Sequence, residues 1–464
     1  MTLFGLSMAY HVFVIRRIRE LRDRGVGIAG AICGGITSTA GAVTSAAAPP
    51  SMAGRPQEHL TGAAGRLQNR APVPVPHART RPLPRPFRSV MVAALGSAAL
   101  LTTAAVGTAR PQSSPEPLAI AVEGPQSGGQ ASNGLDQLRG VQLAVRQVNA
   151  HGGVLGRPVR IVRADDAGSA ARARPVARAV VARGIGFVIG PYNSSVGLQN
   201  LTLYRRNRVL PVWMTSSDET RGAGATVQPM NSQIAPIERR YVSSLAARRV
   251  TMFVDDTPNG AFTEGMARRL RAALERGGTT VNWIPVTEGD TSVYYAGKVA
   301  EALATGPDLV YVSTYFPEGV QIARALNAAG AAPPCLMGLA NVDNGFIAQT
   351  TLAEAQRCVF SGVPAAGQMP SAQGYVQQYR RAFGRRPGVW GSFTYDSARM
   401  LFDAIERAGS TRFGAVSKAL RATSNHPGAT GPITIDRDTG YRTNVPVSIL
   451  SVNTKRKFVI ARAG

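Results

Sequence analysis

Apolar positions in this chain follow two alternating rhythms from about residue 116 onward. Leu118 to Val122 is a short apolar run that ends in Gly124-Pro125-Gln126-Ser127-Gly128, which predicts a strand closing in a Gly/Ser loop. Val141, Ala144, Val145 and Val148 then recur at i, i+3, i+4 and i+7, the spacing of one apolar stripe on a helix. Gly152-Gly153 stop that helix, because glycine takes the left-handed C-cap conformation without a Cβ penalty. Val159-Arg160-Ile161-Val162 follows as a β-branched strand ending at Asp165-Asp166. Strand, loop, helix and strand form a βαβ unit, whose ligand-facing edge lies at the carboxyl ends of its strands.

The two rhythms keep alternating. The pattern predicts helices over 176–182, with Pro175 at the start, and over 196–206, 232–248, 262–276, 293–304, 318–329, 371–384 and 392–408. Strands are predicted over 187–189, 209–213, 250–254, 280–284, 309–313, 335–338 and 358–362, followed by a β-rich tail over 432–461. Repeated β–α alternation predicts an α/β fold with mostly parallel sheets covered on both faces.

Several spaced segments resemble one family. GPQSG (124–128), Gly134, Gly140 and QVNAHGGVLGRPVRIVRADD (147–166) are similar to the opening of the periplasmic binding proteins for branched-chain amino acids and related ligands, the solute receptors of ABC importers. FVIGPYNSS (187–195), VSTYFPEG (312–319), SFTYDSARMLFDAIERAGS (392–410) and GPITIDRDTG (431–440) continue the resemblance in the same order. It implies a type I periplasmic-binding fold with two Rossmann-like lobes, parallel sheets and a three-stranded hinge. Lobe one would be 116–235 with 363–443, and lobe two 236–362 with 444–464. The ligand would sit between them.

The resemblance also implies a ligand set. Ser194, at the end of a strand and the start of a helix, matches the serine that takes the ligand carboxylate; a serine that merely caps that helix is the other reading of the same residue. Thr215 and Ser217 fall on positions that offer backbone groups and a hydroxyl. Tyr315 matches a tyrosine that closes over the ligand. Phe262 stands where many relatives have Tyr, and Thr263 replaces the glycine beside it. Receptors of α-amino acids carry a carboxylate after the Met-Gly of the next strand, where it pairs with the ligand ammonium. Here Met337-Gly338 is followed by Leu339, Ala340 and Asn341. Burying an ammonium without a countercharge is costly, so either Asp343 or Glu318 swings in or the ligand lacks an α-ammonium.

Composition adjusts this picture in three places. The formal charge is +25, of which residues 1–109 carry +9. The arginines of the remainder sit singly on predicted helix faces rather than in a block, which reads as a solvated basic surface with no nucleic-acid partner. Of three cysteines, Cys335 and Cys358 each open a predicted strand in the same lobe; an oxidising compartment would let them pair, and two buried thiols are the alternative. Arg85 and Arg88 precede an apolar run from Val90 to Val106 and then Gly107-Thr108-Ala109, the pattern of a secretory signal peptide over 85–109. Residues 71–87 hold six prolines and read as a disordered linker. A leader beginning so far into the chain points to a start assigned upstream of the true one, with an unusual N-terminal anchor over 1–84 as the alternative.

Catalytic patterns are missing. The folded part holds only His151 and His426, with no HExxH, CxxC, GxSxG or P-loop spacing. Asp165-Asp166 and Asp255-Asp256 read as turn formers rather than metal ligands. The sequence therefore predicts a periplasmic or secreted monomeric receptor, not an enzyme and without a cofactor. Its partners would be a small polar solute (amino acid, amide or carboxylate) and an ABC permease in the membrane. The alternative is a ligand-sensing protein of the same fold.

Overall fold

The computed structural model describes Leu21 and residues 115–287, 291–330 and 332–461. The predicted signal peptide, the linker and Cys33 lie outside the described residues.

The first sheet is built from β1 (Leu118–Gly124), β2 (Val159–Asp165), β3 (Phe187–Ile189) and β4 (Leu210–Val212). They run in the order β2-β1-β3-β4, all parallel. The links between them are helices α1 (Ala131–Ala150), α2 (Ala170–Ala182) and α3 (Ser194–Arg206). β1 is buried along nearly its whole length, as expected of a parallel strand covered on both faces. After α4 (Asn231–Ser244) the chain builds a second sheet. Its strands are β5 (Arg249–Asp255), β6 (Thr280–Val286), β7 (Leu309–Ser313), β8 (Cys335–Met337) and β9 (Val359–Gly362), with α5 (Ala261–Glu275), α6 (Ser292–Ala304), α7 (Phe316–Ala328), α8 (Asn344–Gln349) and α9 (Leu352–Gln356) between them.

The chain then returns to the first sheet as α10 (Gln373–Phe383), α11 (Gly391–Ala408) and α12 (Phe413–Arg421), followed by a hairpin of β10 (His426–Gly428) and β11 (Gly431–Ile433). α11 packs on α1 and touches β3 and β4. Asp136 of α1 fastens the contact: its carboxylate accepts N–H bonds from Gly388 at 2.8 Å and Gly391 at 2.6 Å, and the Tyr379 hydroxyl at 2.9 Å. Finally β12 (Ser448–Val452) and β13 (Phe458–Ile460) extend the second sheet, giving β13-β12-β9-β8-β7-β5-β6. β12 and β13 are antiparallel to their neighbours, so the parallel expectation holds for β5 to β9 and not for the tail.

Three local expectations change. α2 begins at Ala170, with Pro175 inside it rather than at its start. The proline removes one helical N–H, but Ala171 and Pro175 are both exposed, so water can serve the freed carbonyl of Ala171. α12 was not predicted; it buries only Val416 and Leu420, too few for a clear stripe. The short helices α8 and α9 fall below the length at which periodicity is visible. The acidic pairs build turns. Asp165 Oδ1 accepts N–H bonds from Gln126, Ser127 and Ala167, and Asp255 Oδ1 accepts one from Thr257.

Cys335 and Cys358 form a disulfide at the head of the adjacent strands β8 and β9, closing a loop with a sequence separation of 23. Crosslinking a loop of this length restricts the unfolded chain by about 3 kcal/mol. Replacing both cysteines by serine should lower the unfolding free energy by about that amount, read as a lower denaturant midpoint with a somewhat steeper slope, because the unfolded chain becomes less compact. Two free thiols in the unreduced, denatured wild-type protein would contradict the bridge.

Several acids are buried, and burial is the largest influence on each. Glu238 accepts hydrogen bonds from Tyr311 (3.1 Å) and Ser361 (2.5 Å) and is pushed up to about 7 by burial. Glu123 accepts from Asn200 at 2.5 Å and Tyr204 at 2.6 Å; burial and then the nearby Asp166 raise it well above the carboxylate range. Burial raises Asp166 too. Each acid holds its proton more tightly folded than unfolded. Stability is therefore full below the ordinary value near 4.5 and is lost as pH rises towards about 7. The unfolding free energy should fall from pH 5 to pH 7.5, by roughly 1 kcal/mol per unit of pH for Glu238 alone, lowering the melting temperature with it, and Glu238→Gln should flatten the slope. A melting temperature that climbs over this range would refute the assignment.

Candidate functional site

The carboxyl ends of the two sheets face a common narrow cleft, whose cavity volume is about 20 Å³. On the first side, β3 runs into Gly190, Pro191, Tyr192 and Asn193, and α3 starts at Ser194. This turn is tightly held. Gly190 donates its N–H to Val212 O at 2.9 Å, and Met214 donates to Pro191 O at 2.9 Å. The turn contains a cis Gly190–Pro191 bond. Tyr192 and Ser194 line the cleft from here, and Met214 and Ser216 from the loop after β4. Trp390, just before α11, completes this wall and packs against Tyr192 with ring centroids 6.0 Å apart.

On the other side, Phe262 comes from the first turn of α5, Tyr315 from the N-cap of α7, and Leu339 and Ala340 from a single 3₁₀ turn after β8. Phe262 and Tyr315 face each other at 6.5 Å between centroids. Tyr315 is buried and Tyr192 half-buried, and burial raises both phenols, so both remain neutral hydroxyl groups around neutral pH. Gln228, from the segment between β4 and α4, also reaches the cleft. No charged side chain lines it among the described residues.

The structure thus brings four residues singled out from sequence to one cleft: Ser194, Phe262, Tyr315 and Ala340. It does not bring the hydroxyls of Thr215 and Ser217 there. Thr215 Oγ1 shares a hydrogen bond with Thr220 Oγ1 at 2.6 Å, and its methyl group lies against Gly197. Ser217 Oγ accepts the N–H of Glu219 at 3.4 Å. The backbone of this loop does reach the site, because Ser194 Oγ accepts N–H bonds from Ser216 at 3.3 Å and Ser217 at 3.1 Å. Ser194 is thus a bracket between α3 and the β4 loop. Its own proton is free for a ligand, beside the helix's first N–H groups, which no helical carbonyl can satisfy.

Asp343 is buried and held in place. Its Oδ1 accepts the Ser132 hydroxyl at 2.9 Å and caps α8 through the N–H of Gly345. Burial pushes it up to about 6, and it does not line the cleft. Sequence reasoning passed over Tyr192, Met214, Ser216, Gln228, Leu339 as a wall residue, and Trp390. Tyr192 sits inside the FVIGPYNSS segment and could have been found there. Gln228 and Trp390 lie in irregular segments with no periodicity to mark them.

Comparison with known proteins agrees with this geometry. A family model described as periplasmic binding protein matches residues 117–457. A Leu/Ile/Val-binding protein of Rhizobium johnstonii is 30% identical over 343 residues, covering 72% of this chain and 90% of its own length. A Leu/Ile/Val-binding protein homolog of Brucella melitensis is 29% identical over 313 residues, covering 65% and 83%. Among solved structures, a leucine binding protein of Thermotoga maritima superposes with a TM-score of 0.66 at 24% identity, covering 74% of this chain and 97% of its own. A branched-chain amino acid transporter substrate binding protein of Streptococcus pneumoniae, in complex with isoleucine, superposes at 0.63 with 21% identity, covering 74% and 99%. These likenesses carry the fold: α/β, two lobes with parallel sheets, the type I periplasmic-binding arrangement.

Proposed function

Because the chain belongs to the periplasmic binding protein family, we propose that it is the solute receptor of an ABC importer. It acts outside the cytoplasm as a monomer, binds a small solute in the cleft and delivers it to a membrane permease, with no covalent chemistry and no nucleic acid. The observation that carries this reading is the cleft itself. Its walls come from the carboxyl ends of strands in both sheets, where α/β sheets bind ligands. The chain divides as 116–235 with 363–443, and 236–362 with 444–464, so that three crossings act as the hinge and ligand selects the closed arrangement. No helix among the described residues is long and apolar enough to cross a membrane.

The ligand set is Ser194, Tyr315, Phe262 and Ala340, with the backbone of Thr215 to Ser217 beside them. Ser194 and the start of α3 take a carboxylate or amide end of the ligand, and the aromatic pairs enclose its apolar part. A thermal-shift screen over amino acids, amides, ureas and aliphatic and aromatic carboxylates tests this. A ligand at a hundred times its Kd should add about 2.7 kcal/mol, and Ser194→Ala should weaken that ligand by about tenfold while the protein remains folded. A screen in which nothing raises the melting temperature would reject the receptor reading.

A further inference from the structure

Gln228 is 1% exposed and lines the cleft. Among the described residues it is the one buried side chain with both of its polar atoms, Nε2 and Oε1, unpaired. Its position is set from behind. The Gln228 N–H donates to Thr226 Oγ1 at 3.1 Å, Thr226 donates its own N–H to Gly440 O at 2.8 Å, and the two segments run on as a bridge at Tyr441. The side chain is therefore presented to the cleft by a backbone fastened to the segment Gly440-Tyr441, which follows the β10–β11 hairpin.

A buried amide with no partner costs about 1–3 kcal/mol for each unmade bond, and such groups are few in native proteins. A ligand that repays this must both donate and accept. A carboxylate would satisfy Nε2 alone. An ammonium would satisfy Oε1 alone and set its charge beside the amide N–H groups, with no carboxylate on the cleft wall to neutralise it. A zwitterion could meet both ends with its two charged groups, but its ammonium would enter a cleft with no carboxylate on its wall; an uncharged group with both a proton and a lone pair satisfies both ends of the amide without that cost.

We infer that Gln228 is the residue that reads the ligand, and that the ligand turns an uncharged hydroxyl or carboxamide towards it rather than an α-ammonium. This rests on the receptor reading above and specifies its solute class: a small, mostly apolar compound with one acidic or amide end and no positive charge. The same argument makes Gln228 a residue kept at the expense of stability, since leucine at this position would remove two unmet hydrogen-bonding groups.

The test uses the full chain, with calorimetry of 2-hydroxy-4-methylpentanoate, 4-methylpentanamide, 4-methylpentanoate and leucine. The hydroxy acid or the amide should bind at least tenfold more tightly than the plain acid and than leucine. Gln228→Leu should erase that preference and at the same time raise the melting temperature of the ligand-free protein. The hydroxy acid and the amide distinguish the two sources of the shared chemistry. If Gln228→Leu leaves affinities and preference unchanged, or lowers the ligand-free melting temperature, the inference falls and the receptor reading stands. If none of the compounds, nor any in the wider screen, stabilises the protein, both fall together.

Discussion

Ala340→Asp is expected to raise the affinity for leucine by about two decades and to weaken 4-methylpentanoate. In the wild-type cleft a zwitterion brings a positive charge against Phe262, Tyr315, Leu339 and Ala340, none of which can neutralise it. A buried charge that lacks its partner typically costs about 3–5 kcal/mol, which is two to four decades of affinity. Asp343 does not relieve this, because it is occupied by Ser132 and by the cap of α8. A carboxylate at position 340 gives the ammonium its partner, but it meets the des-amino analogue as an unpaired buried charge. The sign of the effect must therefore reverse between the two ligands, which a general loosening of the cleft cannot produce. Micromolar binding of leucine by the wild type, unchanged in Ala340→Asp, would show that another acid does this work.

Gly190→Ala should destabilise the protein by about 3–5 kcal/mol, combining backbone strain with overpacking, and should abolish ligand binding in whatever fraction stays folded. Gly190 has φ of 118°, where L side chains are strained, and a Cβ built there would lie 2.1 Å from Glu123 O. That carbonyl belongs to the central strand β1 and cannot retreat. The displaced turn carries Tyr192 and Ser194 into the cleft, so strain here is transmitted directly to the site. Gly184 is the control: its φ is 67° and nothing lies within 4 Å of a built Cβ, so Gly184→Ala should cost only about 1–2 kcal/mol and leave binding unchanged. Equal effects at the two positions, by chemical denaturation, would refute the steric argument.

Much of the architecture was legible before any coordinates. The alternation of β-branched runs with 3.6-spaced stripes is local, and it placed β1 to β9 within a residue or two, while β12 and β13 were covered only by an undivided β-rich tail over 432–461. Loops at the carboxyl ends of those strands follow from the same reading, but Ser194, Phe262, Tyr315 and Ala340 were singled out through the family resemblance, not through periodicity. The lack of an acid directly after Met337-Gly338 was also readable in the sequence, and the family resemblance gave it meaning. The antiparallel direction of β12 and β13 was not, because strand direction is a property of the partner strand, and Ser448 pairs with Gly362 across a long stretch of chain.

Tertiary structure alone decided which hydroxyls face the cleft. Ser194, Thr215, Ser216 and Ser217 are alike as donors and acceptors, and their spacing along the chain does not distinguish them. Thr215 turns away because Thr220 meets its oxygen, while Ser194 faces inward with two backbone N–H groups of the neighbouring loop behind it. Gln228 and Trp390 are placed by contacts with Thr226 and Tyr192. The order and kind of the elements are written in local periodicity, but the direction of a polar side chain in a loop depends on which distant group satisfies it. For Gln228 no group of the chain does so.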